Sequence, residues 1–204
     1  MKVTYLLLIS LLTALYSQAQ NTDGKKILVM GDSLSAGYGI ELNQGWVELS
    51  RIALKQSHPE VTLINASISG ETAKGGARRL PLMLKIHQPD ILLLELGAND
   101  GLRGYPVKSI TLELKKMIEQ ALAQNVQVVI LGIQLPPNLG DDYNNAFSGQ
   151  YEILANEYNL PVLPFLLEGV ALTTDWMQGD GLHPNALGQP TIVLNVLEVL
   201  VPLL

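Results

Sequence analysis

From residue 27 onward the sequence alternates between short runs rich in branched apolar side chains and longer stretches whose apolar residues recur at helical spacing. Runs this short and this apolar are read as buried strands, and the 3.6-residue periodicity between them as amphipathic helices. Strands are expected over 27–30, 61–65, 91–96, 126–133 and 161–164, the third interrupted only by Glu95. Helices are expected over 46–56, over 73–87 with a bend or break near Pro81, over 108–123, over 144–158, and from about 185 to 204 with Pro190 near its start. Regular strand–helix alternation requires crossover connections, so the expected fold is α/β: a three-layer α/β/α sandwich around a mostly parallel five-stranded sheet. At 204 residues, with 48% hydrophobic and 16% charged residues, the chain has enough apolar surface for one folded domain.

The amino terminus departs from this pattern. Lys2 precedes an apolar stretch over 3–16, too short to span a bilayer, and Ser17-Gln18-Ala19 has the small residues that suit a signal peptidase. Residues 1–19 are therefore expected to be a signal peptide cleaved after Ala19, and 20–204 a periplasmic or secreted domain without a stable membrane anchor. The formal charge is −6, which disfavours nucleic acid and anionic lipid as partners, and loss of Lys2 with the leader adds one more negative unit. The absence of cysteine removes disulfides, thiolate nucleophiles and Cys-ligated zinc. The three histidines, His58, His87 and His183, are far apart, which argues against a His-rich metal site.

In an open α/β sheet, ligands bind beyond the carboxyl ends of the strands, so the loops that follow strands carry the chemistry. Four are notable: Gly31-Asp32-Ser33-Leu34-Ser35-Ala36-Gly37, Asn65-Ala66-Ser67-Ile68-Ser69-Gly70, Gly97-Ala98-Asn99-Asp100-Gly101, and Gly179-Asp180-Gly181-Leu182-His183-Pro184. Ser33 is the candidate nucleophile, although a serine there also suits a helix N-cap. The Gly-x-Ser-x-Gly elbow of α/β-hydrolases is absent, because Ser35 occupies the second glycine position. His58 and His87 end predicted helices and are read as structural. His183 lies three residues beyond Asp180, close enough for the carboxylate to engage one ring nitrogen while the other faces a serine, although Asp180 also suits an Asx-turn. Gly70 and Asn99 offer a backbone N–H and a side-chain amide for an oxyanion, alongside the N–H of Ser33; both residues are equally at home in turns.

These blocks, in this order, resemble the SGNH or GDSL hydrolase family: Gly31-Asp32-Ser33-Leu34-Ser35, Gly70, Gly97-x-Asn99-Asp100 and Asp180-x-x-His183. Residues 65–70, 95–97 and 99–104 look most like the bacterial periplasmic thioesterase I, lysophospholipase and arylesterase group within it. The resemblance implies a flavodoxin-like SGNH fold and hydrolysis of esters or thioesters through an acyl-serine intermediate, with neither metal nor cofactor. It implies Ser33, Asp180 and His183 as catalytic residues, and the Ser33 N–H, Gly70 and Asn99 as the oxyanion hole.

Two features depart from the group. Ala98 stands where a second glycine is common, which would stiffen or displace the loop carrying Asn99. Asp141 and Asp142, in a segment resembling the group's substrate-side loop, would repel the phosphates of coenzyme A. Carboxylic esters and lysophospholipids with medium or long acyl chains are therefore favoured over acyl-CoA, with Leu102, Leu135, Pro136 and Leu139 as acyl-contacting candidates. The expected partner is a small ester or lysolipid, and the expected state a monomer. The competing readings are a carbohydrate O-deacetylase using the same triad and a non-catalytic exported binding domain.

Overall fold

The computed structural model describes residues 24–204, which form five β-strands and seven α-helices. The proposed leader lies outside the described residues. In chain order the elements are β1 (Lys26–Gly31), α1 (Ser33–Ala36), α2 (Trp46–Ser57), β2 (Thr62–Asn65), α3 (Ala73–His87), β3 (Ile91–Glu95), α4 (Ala98–Leu102), α5 (Val107–Leu122), β4 (Gln127–Leu131), α6 (Asp141–Tyr158), β5 (Val162–Leu163) and α7 (Gln189–Leu200). The strands form one sheet in the order β2-β1-β3-β4-β5, and every pairing is parallel. This is the expected α/β/α sandwich.

Successive strand residues point to opposite faces, so each strand feeds two cores. Leu28, Met30, Leu92, Leu94, Val128 and Ile130 pack with α3, α5 and α6. Ile27, Val29, Ile91, Leu93, Val129 and Leu131 pack against α2 and α7. Burial on both sides explains why the strands read as continuous apolar runs rather than as alternating ones.

Besides shifts of one or two residues at several element ends, the short helices α1 and α4 occupy segments expected to be loops, and three longer helices differ from the sequence expectation. α3 runs unbroken through Pro81, because Ala73, Gly76, Ala77, Leu80 and Leu84 bury one face of the helix and hold it despite one missing hydrogen bond. α6 begins at Asp141 rather than 144, with Asp141 and Asp142 in its first turn, where carboxylates oppose the positive end of the helix dipole. α7 is shorter than expected: the Leu187 N–H closes an Asx-turn on Asn185 Oδ1 at 2.8 Å, Pro190 lies in the first turn, and residues Val201–Leu203 tighten into a 3₁₀ turn.

Sheet order determines where the four loops meet. β1 has β2 on one side and β3 on the other, so the chain reverses its direction of progress across the sheet at β1. The crevice at such a switch point lies at the carboxyl ends of the strands, where the loops after β1, β2 and β3 converge.

Candidate active site

Ser33 is the first residue of α1. Asp32 caps this short helix, its Oδ1 accepting the Leu34 N–H at 3.1 Å, and left-handed Gly37 ends it. The half-buried Ser33 hydroxyl therefore stands at the sheet edge. His183 Nε2 lies 2.8 Å from Ser33 Oγ, across a separation of 150 residues in sequence. On the other side of the ring, His183 Nδ1 is 2.7 Å from Asp180 Oδ2. A carboxylate can only accept, so Nδ1 carries the proton and Nε2 presents its lone pair to the serine O–H.

The Asp180 loop is organised by the same carboxylate, whose Oδ1 accepts the backbone N–H groups of Leu182 at 2.9 Å and His183 at 3.1 Å. Burial raises the Asp180 pKa, but the His183 ring and the two backbone donors outweigh it, and the carboxyl titrates below its ordinary value. Gln178 ties this loop to the β1 loop: its N–H donates to the His183 carbonyl at 2.8 Å, and its Nε2 to the Tyr38 carbonyl at 2.7 Å. The Tyr38 ring lies 4.7 Å from the imidazole, centroid to centroid.

Asn99, on α4, donates from Nδ2 to Asp32 Oδ2 at 3.1 Å. The loop after β2 is laid against β1 by hydrogen bonds from Ala66 N–H to the Val29 carbonyl and from Ile68 N–H to the Gly31 carbonyl, and Asn65 Nδ2 reaches the Ser35 carbonyl at 2.8 Å. Gly70 lies two residues beyond Ile68 with φ +80°, a conformation that a side chain disfavours even though open space surrounds it.

Sequence reasoning missed what lies underneath. Asp32 and Glu95 are both fully buried. Glu95 Oε2 accepts the Asp32 N–H at 3.1 Å and the Ser35 hydroxyl at 2.6 Å. Burial raises the Asp32 pKa to about 6 against the opposing pull of its hydrogen bonds, and burial followed by the neighbouring Asp32 charge pushes Glu95 well above the carboxylate range. The available signal was one acid at the end of an otherwise apolar central strand, which reads from sequence as an imperfection in that strand.

Beside Ser33 and His183 is a cleft of about 80 Å³ lined by Leu34, Ala98, Asn99, Leu102, Ile133, Gln134, Leu135, Pro136, Leu167 and Leu182. Leu102, Leu135 and Pro136 thus line the same cleft as the candidate nucleophile; Leu139, in the 3₁₀ turn Pro137–Leu139, is outside the lining. Ala98 opens α4 and contributes to the cleft wall. A larger recess of about 230 Å³ beside α1, bordered by Ser35, Leu42, Arg51 and Asn65, includes neither Ser33 nor His183. His58 caps the end of α2 and His87 is the last residue of α3, both away from the cleft. Among the described residues, no three His, Asp or Glu side chains form a metal-binding cluster.

Residues 29–189 match the GDSL-like lipase/acylhydrolase family. The chain is 44% identical over 194 residues to an arylesterase of Vibrio mimicus, covering 95% of this chain and 97% of that protein. It is 42% identical over 177 residues to thioesterase 1/protease 1/lysophospholipase L1 of Escherichia coli K12, covering 87% and 84% respectively. The crystal structure of TesA superposes with a TM-score of 0.86 at 43% identity, covering 88% of this chain and 100% of that one.

Proposed function

The chain belongs to the GDSL-like lipase/acylhydrolase family, and from that premise we propose that it is a serine hydrolase cleaving carboxylic esters, thioesters and lysophospholipids through an acyl-serine intermediate. The observation that carries this reading is the hydrogen-bonded series Ser33–His183–Asp180, with its nitrogen lone pair aimed at the serine.

In this mechanism Ser33 Oγ attacks the carbonyl carbon while its proton passes to His183 Nε2. Asp180 holds the ring and stabilises the imidazolium. The carbonyl oxygen becomes an oxyanion received by the N–H groups of Ser33 and Gly70 and by the Asn99 amide. Collapse expels the alcohol or thiol, which takes the proton from His183. Water, deprotonated by the same nitrogen, then releases the acid and restores Ser33. Ser33→Ala is expected to abolish labelling by a fluorophosphonate and to remove nearly all turnover of a p-nitrophenyl ester; wild-type turnover in that variant would refute the assignment.

The apolar lining from Leu102, Leu135 and Pro136 supports an acyl site. Asp141 and Asp142, near that wall in the chain, favour uncharged esters and lysophospholipids over acyl-CoA. The cleft is small beside the several hundred Å³ of most ligand pockets, so a medium or long acyl chain would extend beyond it across the adjacent surface. The same small volume favours one second reading, a carbohydrate O-deacetylase, and acetyl xylan against a C8 ester separates the two. We further read the enzyme as an exported monomer with no stable anchor; among the described residues no helix is long and apolar enough to cross a membrane. Size-exclusion chromatography of the purified protein tests the monomer.

A further inference from the structure

Asp32 and Glu95 are buried beneath Asn99, and neither lines the cleft. Parallel register sets Glu95 beside Gly31, one residue before Asp32. A Cβ on Gly31 would lie 2.5 Å from Glu95 Oε2, so glycine there leaves the room in which the carboxyl sits. Glu95 Oε2 already receives two donors, the Asp32 N–H and the Ser35 hydroxyl. Glu95 Oε1 is buried and receives none, and the acid next to the Glu95 carboxyl is Asp32. An ionised Glu95 would leave that oxygen unsatisfied beside a second negative charge, whereas a proton on Oε1 satisfies both carboxyls at once. Asp32 then has its two oxygens committed, Oδ1 to the Leu34 N–H and Oδ2 to the Asn99 amide.

We propose that Glu95 is a positioning residue: as a carboxylic acid it donates to Asp32, and the Asp32 carboxylate holds the Asn99 amide with one N–H turned inward and the other free for the oxyanion. The inference rests on Asn99 being an oxyanion donor. A carboxylate at Asp32 admits only the N–H₂ edge of Asn99, because the amide oxygen would meet it lone pair to lone pair. The proton on Glu95 keeps Asp32 in place without adding a second charge. Around this pair stand the His183 imidazole from the C-terminal loop, whose charge favours an ionised Asp32, and the Tyr151 hydroxyl on α6, which is held protonated by burial and by the acidic groups of Glu95, Asp32 and Asp100.

The test compares kcat and KM on p-nitrophenyl butyrate for Asn99→Ala, Glu95→Gln, Glu95→Met and the Glu95→Met/Asn99→Ala double variant. Glutamine keeps both a donor toward Asp32 and an acceptor for Ser35, and should retain kcat within about threefold, while methionine should lower kcat about 10–100-fold at nearly constant KM. In the Asn99→Ala background the methionine substitution should cost almost nothing more, since its effect passes through the missing amide. An equal loss in both backgrounds, or a glutamine variant as impaired as the methionine one, overturns the proposal. If Asn99→Ala itself leaves kcat unchanged, the oxyanion reading falls first and separately. Should Glu95→Met not fold, infrared difference spectroscopy between wild type and Glu95→Gln at neutral pH decides: a carboxylic acid C=O band lost in the variant supports the proposal, and its absence from wild type refutes it.

Discussion

His183 presents a lone pair to Ser33 because Asp180 occupies its other nitrogen, and this dependence gives a sharp expectation. In Asp180→Asn the amide can offer an N–H to Nδ1, which selects the wrong tautomer, and kcat should fall about 10⁴-fold, as when the equivalent change is made in other serine hydrolases, with KM little altered. Steady-state ester hydrolysis measures it. The carboxyls also set the pH response of stability, with opposite signs. Asp180 titrates below its unfolded value, so its contribution is present above the unfolded pKa and is lost as pH falls through the lowered one. Asp32, raised to about 6, binds in the native state a proton that the unfolded chain releases, so its contribution makes stability fall as pH rises from about 4 to about 6. Because Asp180 is substantially exposed and Asp32 is buried, the second effect should dominate. Urea midpoints for Asp32→Asn should show a flatter pH dependence than wild type across that window. At this scale Ser33, His183 and Asp180 stood out in the sequence because their residue types are chemically restricted: with no cysteine and three histidines, only one histidine had a carboxylate in the same Gly-rich loop. Glu95 did not stand out, because its meaning depends on burial.

Elements transmit packing to the site. α4 carries Asn99, and behind it Gly101 faces the fully buried Phe147 on α6; a Cβ at 101 would come within 2.6 Å of that ring and 2.7 Å of Leu135. Gly101→Ala should therefore destabilise the fold by about 1–3 kcal/mol through overpacking and also lower kcat by shifting α4, whereas Phe147→Ala should cost about 3–5 kcal/mol through the cavity it leaves. Thermal or urea unfolding alongside ester turnover distinguishes the two. The type of each longer element was legible, since buried strands and amphipathic helices have different apolar periods, whereas the short α1 and α4 have too few residues to show a period and read as loops. Element ends were less so: α3 crosses Pro81 and α7 stops short because tertiary packing and turn hydrogen bonds, rather than local propensity, decide where a helix ends.

For the whole molecule, the sheet order and the return of the C-terminal loop place four remote segments at one edge, and the functional expectations follow from that edge and its surroundings. A series of p-nitrophenyl esters from C2 to C12 should show preference for apolar acyl groups, and wall substitution Leu102→Ala should weaken KM for the longer members more than for acetate. No chain-length preference would remove the acyl-site reading. If residues 1–19 act as the proposed leader, the protein expressed in full should be recovered outside the cytoplasm with a mass that begins at Gln20; an intact product starting at Met1 in the membrane fraction would overturn export.

Local sequence determined the strand and helix types, the parallel architecture and the residue types able to do acyl chemistry, because these depend on side-chain pattern and intrinsic reactivity within a few residues. Only the tertiary structure decided that Ser33 and His183 lie 2.8 Å apart, that Leu139 is off the cleft while Leu135 is on it, and that Asp32 and Glu95 are both buried beneath Asn99. Such facts depend on distances between segments far apart in the chain and on the exclusion of water from the space between them, and a carboxyl's proton affinity changes only once that exclusion exists.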